Sequence, residues 1–86
     1  MNLRAWLDAT SINGSNITAG ERQRRRMERA QVLKAANTSI STLRNAVCRG
    51  NMGIDLARRM EAATADKKAK FRVRDQMPEL RKIDAF

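Results

Sequence analysis

Four polar side chains in the middle of the chain carry hydrogen-bonding groups suited to the edges of base pairs. They are Ser41, Thr42, Arg44 and Asn45. An arginine can make paired hydrogen bonds to guanine O6 and N7, an asparagine to adenine N6 and N7, and a hydroxyl can contact several bases. If residues 40–48 form a helix, these side chains share its outer face, and we expect them to read double-stranded DNA. The alternative is an exposed helix face that only meets solvent.

Basic residues surround this segment in the sequence. Five arginines fall between residues 22 and 29, and the run KKAKFRVR follows later. Such side chains contact DNA phosphates and position a protein without reading bases, and the N-terminal amides of a helix can also hold a phosphate. The residues expected to contact phosphates are Ser39, Arg24, Arg25, Arg29, Arg49, Lys68 and Lys70. For any single arginine, the alternative is a solvated charged surface.

The composition favours a polyanionic partner. The chain has 86 residues, enough for one domain spanning residues 1–86, and 18 Lys and Arg against 9 Asp and Glu give a formal net charge of +9. Nucleic acid is the first partner that this charge indicates and an anionic membrane surface the second, the alternative being a basic surface that serves solubility. The start of the sequence has no long apolar run behind a positive region, and no stretch is apolar enough to span a membrane. We therefore expect no signal peptide and a cytoplasmic protein without a membrane partner.

Little in the sequence points to catalysis. There is no His and no Tyr, and Cys48 is the single cysteine, which fits a reducing cytoplasm and leaves no ordinary zinc site. Glycine-rich phosphate loops and nucleophile elbows are absent, and each carboxylate has a basic neighbour. We therefore expect no enzyme, no metal, no cofactor and no small-molecule substrate. Cys48 is expected to be partly buried, and Trp6 to be a core anchor.

The N-terminal third predicts a short helix, a loop and the start of a longer helix. Residues 2–10 place three apolar side chains on one helical face, namely Leu3, Trp6 and Leu7. Residues 11–20 are rich in Ser, Asn and Gly and predict a loop. At its end, Thr18 and Glu21 have the spacing of a capping box.

A tight turn joins the next two predicted helices. The first covers 21–36, with an apolar stripe of Met27, Ala30, Leu33 and Ala36 that Val32 widens. Asn37 tolerates the left-handed conformation that ends a helix, and Ser39 is a favoured N-cap. The second runs from Ile40 to about Cys48 and stops at Gly50, with Ile40, Leu43, Ala46 and Val47 inward. This arrangement predicts a helix-turn-helix.

The last third of the sequence predicts a helix, a polar loop, a short strand and a final helical turn. Residues 54–64 predict a fourth helix with an i, i+4 ion pair between Asp55 and Arg59. Residues 65–86 form a basic segment that begins with a polar loop, and the alternation of apolar and basic residues over 68–74 predicts a short strand. Pro78 then opens a final helical turn. Its apolar stripe is either a dimer contact or the closure of the monomer core, and it consists of Leu80, Ile83 and Phe86.

Three segments resemble a known group of proteins. VLKAANTSISTLRNAVCRGN, then DLARRMEAAT, then a basic stretch with MPEL are similar to the small Cro-like and YdaS-like regulators of bacterial prophages. The resemblance covers about 60 residues and is most specific at LARRMEAAT. It implies a lambda-repressor-like all-α fold of about five short helices, with operator DNA as ligand and usually a homodimer. A Cro-type repressor near the nucleoid of a bacterial host is the function that it implies, with loop 11–20 as an insertion.

Other functions remain open at this stage. One alternative is an antitoxin that represses its own toxin–antitoxin operon. Such a protein would also bind DNA, but it would regulate a different kind of gene. A basic module that binds RNA or RNA polymerase is the alternative from another class, although sequence-specific RNA binding usually uses exposed aromatic residues, and this chain has one Trp and two Phe. A membrane-surface helix is a third alternative, but the arginine-rich segment lacks a bulky apolar face.

Overall fold

Five helices account for nearly all the regular structure in residues 1–14, 16–76 and 80–81, which the computed structural model describes. The fold is all-α, as the sequence predicts. The helices are α1 (Leu3–Ala9), α2 (Ala19–Ala36), α3 (Ile40–Arg49), α4 (Ile54–Thr64) and α5 (Val73–Gln76). Two short parallel strands, β1 (Met52–Gly53) and β2 (Leu80–Arg81), pair Met52 with Leu80 and Gly53 with Arg81.

The buried apolar side chains form one cluster to which the first four helices contribute. Helix α2 packs mainly along α4, and α1 lies against α3. Trp6 and Leu3 enter the cluster from α1, as predicted, and Trp6 is fully buried. The other members are Val32, Ala36, Leu43, Ala46, Met52, Ala57, Met60, Ala69 and Phe71. Helix α1 also borders the exposed side of α3, because residues of both helices line one groove.

The inward face of α2 differs from the predicted stripe. Glu28, Val32 and Ala36 are buried, whereas Met27 is 53% exposed and Ala30 is exposed as well. The prediction counted every third residue, but a helix of 3.6 residues per turn keeps one face at spacings of three and four. Glu28 escaped that count because it is polar. Its carboxylate lies inside because it accepts hydrogen bonds from Arg24 Nη1 (2.7 Å) and from Ala69 N (3.4 Å).

Helix caps follow the sequence signals closely. Thr18 caps α2 by accepting from Glu21 N (3.1 Å). The other half of the predicted capping box does not form, because the carboxylate of Glu21 bonds Arg24 and Arg25 instead. In the loop that precedes α2, the carbonyl of Ile12 accepts a hydrogen bond from Arg22 Nε (3.1 Å).

Asn37 ends α2 in a left-handed conformation, with φ 53° and ψ 55°. Its N–H donates to Lys34 O (3.2 Å), and Thr38 N donates to Leu33 O (3.1 Å). These two bonds make a Schellman motif, which satisfies carbonyls that the helix end leaves free. Ser39 then caps α3 by accepting from Thr42 N (3.2 Å). The predicted tight turn between two helices is therefore present, and it occupies only residues 37–39.

The predicted strand over 68–74 does not form. Ala69 and Phe71 are buried while Lys68 and Lys70 are exposed, as the alternation indicated. However, Phe71 N donates to Thr64 Oγ1 (2.9 Å) rather than to a neighbouring strand, and a strand without a partner is unstable. The chain instead turns into α5.

The C-terminal prediction is also corrected in part. Leu80 lies in β2 and not in a helical turn, because its backbone pairs with Met52. Pro78 and the other two members of the predicted stripe, Ile83 and Phe86, lie outside the described residues. Near this end, the buried Gln76 side chain accepts a hydrogen bond from Leu3 N (2.6 Å) through its Oε1 atom. That bond satisfies a first-turn amide of α1.

The turn predicts a contrast between two substitutions of Asn37. We expect Asn37→Ala to lower the free energy of unfolding by about 1 kcal/mol, because a Cβ without a local polar partner disfavours the left-handed region. Asn37→Gly should cause no loss, because glycine adopts this region freely. Urea unfolding measures both. Asn45→Ala, the same change at an exposed helical position, is the control and should not destabilise the protein. Equal losses for Asn37→Gly and Asn37→Ala would contradict this account of the turn.

Candidate nucleic-acid interface

Helix α3 divides into a buried face and an exposed face. Leu43 and Ala46 are buried, and Ile40 and Val47 pack partly against the core. All four residues predicted to read bases are exposed, and they lie on the opposite side of the helix: Ser41, Thr42, Arg44 and Asn45. The structure therefore brings these side chains together on one face, as the helical spacing predicted.

The exposed face of α3 has a ridge and two flanks. At about 100° per residue, Ser41, Asn45 and Cys48 follow one another along the ridge. Arg44 lies on the flank toward α1, and Thr42 and Arg49 lie on the flank toward α4. From residue 41 to residue 48 the ridge rises roughly 10 Å, which is about three base-pair steps at roughly 3.4 Å each.

The side chains of this face differ in how much of their hydrogen-bonding capacity is free. Arg44, Asn45 and Ser41 have no protein partner for their side chains within residues 1–14, 16–76 and 80–81. Thr42, in contrast, has its hydroxyl 3.0 Å from Ser39 Oγ. The hydroxyl of Ser39 is also occupied, because it caps α3. Arg44 and Asn45 therefore offer the largest unused donor and acceptor sets.

Two of the predicted phosphate contacts have carboxylate partners inside the protein. Arg24 bonds Glu21 through Nη2 (2.6 Å) and Glu28 through Nη1 (2.7 Å). Arg25 bonds Glu21 through Nε (2.9 Å) and the carbonyl of Ser11 through Nη1 (3.0 Å). Hydrogen bonds from Arg24 and then Arg25 lower the pKa of Glu21 to about 2. Glu21 thus stays ionised at any ordinary pH and offsets part of their charge.

Arg29 is also used by the fold, but without a carboxylate. Its Nη2 donates to Leu7 O (2.9 Å) and to Thr10 Oγ1 (3.0 Å), and its guanidinium lies 5.9 Å from the centroid of the Trp6 ring. Burial, and after it the positive charge of Arg44, hold the pKa of Arg29 below its ordinary value. Arg29 therefore joins α2 to α1 and places its charge beside the exposed face of α3.

The remaining predicted phosphate contacts fall in different places. Arg49 is exposed near the C-terminal end of α3. Lys68 is exposed beside Arg24 and Arg25, where its charge also acts on Glu21. Lys70 is exposed and its ammonium donates to the carbonyl of Lys67. Arg24 and Arg25 precede the turn by about 18 Å along the axis of α2, so they and Lys68 form a basic cluster separate from α3.

Arg59 supports the turn before α3, whereas the sequence predicted only an ion pair for it. The predicted pair with Asp55 is present, with Oδ2 3.2 Å from Nε. Nη1 of Arg59 also donates to Ala36 O (3.1 Å) and to Asn37 O (3.5 Å). Helix α4 thereby holds the end of α2 at the turn that precedes α3. No spacing in the sequence could have indicated this contact, because its partners are more than twenty residues apart.

Cys48 and Arg4 were also missed as parts of this surface. Cys48 is exposed and not partly buried as expected. Its position three residues after Asn45 and four after Arg44 was the available signal, because that spacing repeats one helix face. Arg4 is exposed on α1 and faces the same groove as Arg44.

The bonds from Arg59 to the carbonyls of Ala36 and Asn37, which we call the clamp, predict a difference between two adjacent arginines. We expect Arg59→Met to lower the free energy of unfolding by about 1 kcal/mol, because the terminal carbonyls of α2 lose a charged donor. Arg58→Met is the matched control, since Arg58 is exposed on the same helix, and it should change stability by less than about 0.5 kcal/mol. Chemical unfolding of the two variants side by side is the measurement. Similar losses in both would show that the clamp contributes nothing.

The described residues give few signs of other kinds of site. They contain no group of three or more His, Cys, Asp or Glu placed to hold a metal ion. Among them, no helix combines the length and the apolar character needed to cross a bilayer. Comparison with protein-family models, with curated proteins and with solved structures found no match to this chain.

Proposed function

We propose that this protein binds double-stranded DNA with sequence preference, through the exposed face of α3 in the major groove. The observation that carries the proposal is the pair Arg44 and Asn45, adjacent on an exposed helix and without protein partners in the described part of the chain. The short turn before α3 supports it, because a helix that follows such a turn can stand out from the domain and enter a groove.

The chemistry of reading follows from the side chains on the exposed face of α3, its ridge and its flanks. Arg44 can donate two parallel hydrogen bonds to guanine O6 and N7, and Asn45 can bond adenine N6 and N7. Ser41 precedes Asn45 by one turn and suits a further base or a phosphate. Thr42 contributes less to hydrogen bonding with bases, because its hydroxyl is engaged with Ser39. Its methyl group can still contact a thymine methyl.

Phosphate contacts would come first from groups next to the ridge. The N-terminal end of α3, capped by Ser39, presents backbone amides and the positive end of the helix dipole. Arg49 lies at the other end of the same helix. The cluster of Arg24, Arg25 and Lys68 contributes longer-range attraction to the duplex, which Glu21 and Glu28 reduce.

Regulation by a homodimer is the biological role that we propose, of the Cro type, in the cytoplasm of a bacterial host. One reading helix covers only a few base pairs, so small regulators commonly pair across two half-sites about one helical turn apart. A dimer seated on an operator would exclude RNA polymerase from an overlapping promoter. The resemblance of residues 32–51 and 55–64 to small prophage regulators supports this role.

Substitution of the reading residues tests the proposal most directly. The target is the duplex that the protein enriches from random DNA. We expect Arg44→Ala or Asn45→Ala to weaken binding to it by about 1–3 kcal/mol, because a paired base contact is lost. Binding to random duplex should change little. Arg26→Ala, which removes an exposed arginine from α2, should leave the preference between the two DNAs unchanged. Equal losses on both DNAs for Arg44→Ala would show that α3 does not read bases.

The stoichiometry on DNA tests the dimer separately. Sedimentation of the protein with the best enriched duplex should give two protomers per duplex, and the enriched sequence should be an inverted repeat, because a two-fold protein symmetry requires a two-fold site. Halving the site should leave one protomer bound with much lower affinity. A one-to-one complex on the full site would contradict the symmetric arrangement.

A further inference from the structure

A groove of about 640 Å³ runs between α1 and α3, beside the ridge that carries Asn45. Its charged lining consists of Arg4 and Asp8 from α1, Arg29 from α2 and Arg44 from α3, which gives a net charge of +2. The apolar parts of the lining come from Leu7 and Val47. The volume lies within the range of about 300–1,000 Å³ that small-ligand sites occupy.

Arg29 is the fixed member of this lining. Its Nε and Nη2 are engaged with Thr10 Oγ1 and Leu7 O, and its guanidinium stands over Trp6. Nη1 has no acceptor among the described residues. One edge of the guanidinium is therefore held in position by the protein, and the other can still donate to a ligand.

The three arginines of the groove lack anionic partners. Within the described part of the chain, no carboxylate oxygen lies within 4.0 Å of a guanidinium nitrogen of Arg4, Arg29 or Arg44. Asp8 shares the groove but pairs with none of them. A half-buried cation without a counterion is unfavourable, and here a second one, Arg44, acts on the first. An anion placed between them would relieve both costs.

We propose that this groove binds a phosphate group, with Arg29 as the preset donor and with Arg4 and Arg44 on its two sides. Guanidinium forks match the oxygens of a phosphate in pairs, and a doubly charged anion balances the lining. The phosphate has two possible sources: the backbone of a nucleic acid lying against α3, or a free phosphorylated molecule. Since Arg44 belongs to both surfaces, a free ligand in the groove would change DNA binding, and DNA would change the ligand's affinity equally.

Pyrophosphate is a suitable probe, and Trp6 is a built-in reporter because it is the only tryptophan of the chain. In a phosphate-free buffer of low ionic strength, we expect a saturable change in Trp6 fluorescence as pyrophosphate is added. The Nε–H signal of Arg29 in an NMR spectrum should shift over the same concentrations. A linear, unsaturable response in both signals would overturn the proposal.

Two variants that each remove one positive charge distinguish binding in the groove from general electrostatic attraction of pyrophosphate to the protein. Arg4→Gln removes an exposed arginine that lines the groove, and Arg26→Gln removes an exposed arginine of α2 that does not. We expect Arg4→Gln to weaken pyrophosphate binding about fivefold or more, because a direct charged hydrogen bond is lost. Arg26→Gln should have little effect. Equal weakening by both would overturn the site.

A competition with DNA then distinguishes the two sources. If random-sequence duplex displaces pyrophosphate and Arg4→Gln weakens the binding of both, the groove holds a backbone phosphate. If the response to pyrophosphate stays saturable in the presence of saturating duplex, with an affinity that is shifted but not abolished, the groove holds a free phosphorylated ligand. Either result supports the phosphate site. The first two measurements contain no DNA, so a failure of the site and a failure of base reading by α3 are distinguishable.

Discussion

The left-handed conformation of Asn37 determines how α3 is presented to its surroundings. Helix α2 has 18 residues, and the reversal within residues 37–39 brings Leu43 and Ala46 of α3 back onto the core. Arg59 supports this turn, because it donates from α4 to the carbonyls of Ala36 and Asn37. The orientation of the exposed face of α3 thus depends on a contact between helices that are not neighbours in the sequence.

The arginines of α2 show that net charge and available charge are different quantities. The sequence gives +9 for the whole chain, and α2 has the densest run of arginine. Yet Arg22, Arg24, Arg25 and Arg29 all bond other parts of the protein, and of the five only Arg26 is exposed without a protein partner in the described residues. The loop before α2 has few apolar side chains to bury, and Arg22 and Arg25 hold it by donating to the carbonyls of Ile12, Gly14 and Ser11. On the exposed face of α3, in contrast, Arg44 has no such bond in the described residues, although the sequence there is less basic.

Much of the helical architecture could be predicted because its signals are local. The N-caps at Thr18 and Ser39, the helix-ending residues Asn37 and Gly50, and the limits of α4 each depend on a few consecutive residues. The exposed face of α3 was predictable for the same reason. Features that depend on distant partners were not. The inward position of Glu28 involves the amide of Ala69, 41 residues away, and Leu80 leaves the predicted helical turn because Met52 pairs with it. The groove needs three helices at once, so no spacing within one segment indicates it.

The hydrogen bond from Leu3 to Gln76 joins residues separated by 73 positions, and it has a consequence for the order of folding. Helix α1 has only seven residues, too few to be stable alone in water, so it must gain its structure by docking. Closing so long a loop is an entropic cost that a chain meets late, after its local contacts have formed. Helix α1 can dock earlier on α2 and α3 through contacts of shorter sequence separation, such as the bond from Arg29 Nη2 to Leu7 O. During synthesis, α1 would then take its place beside α3 first, and the bond to Gln76 would close the fold afterwards.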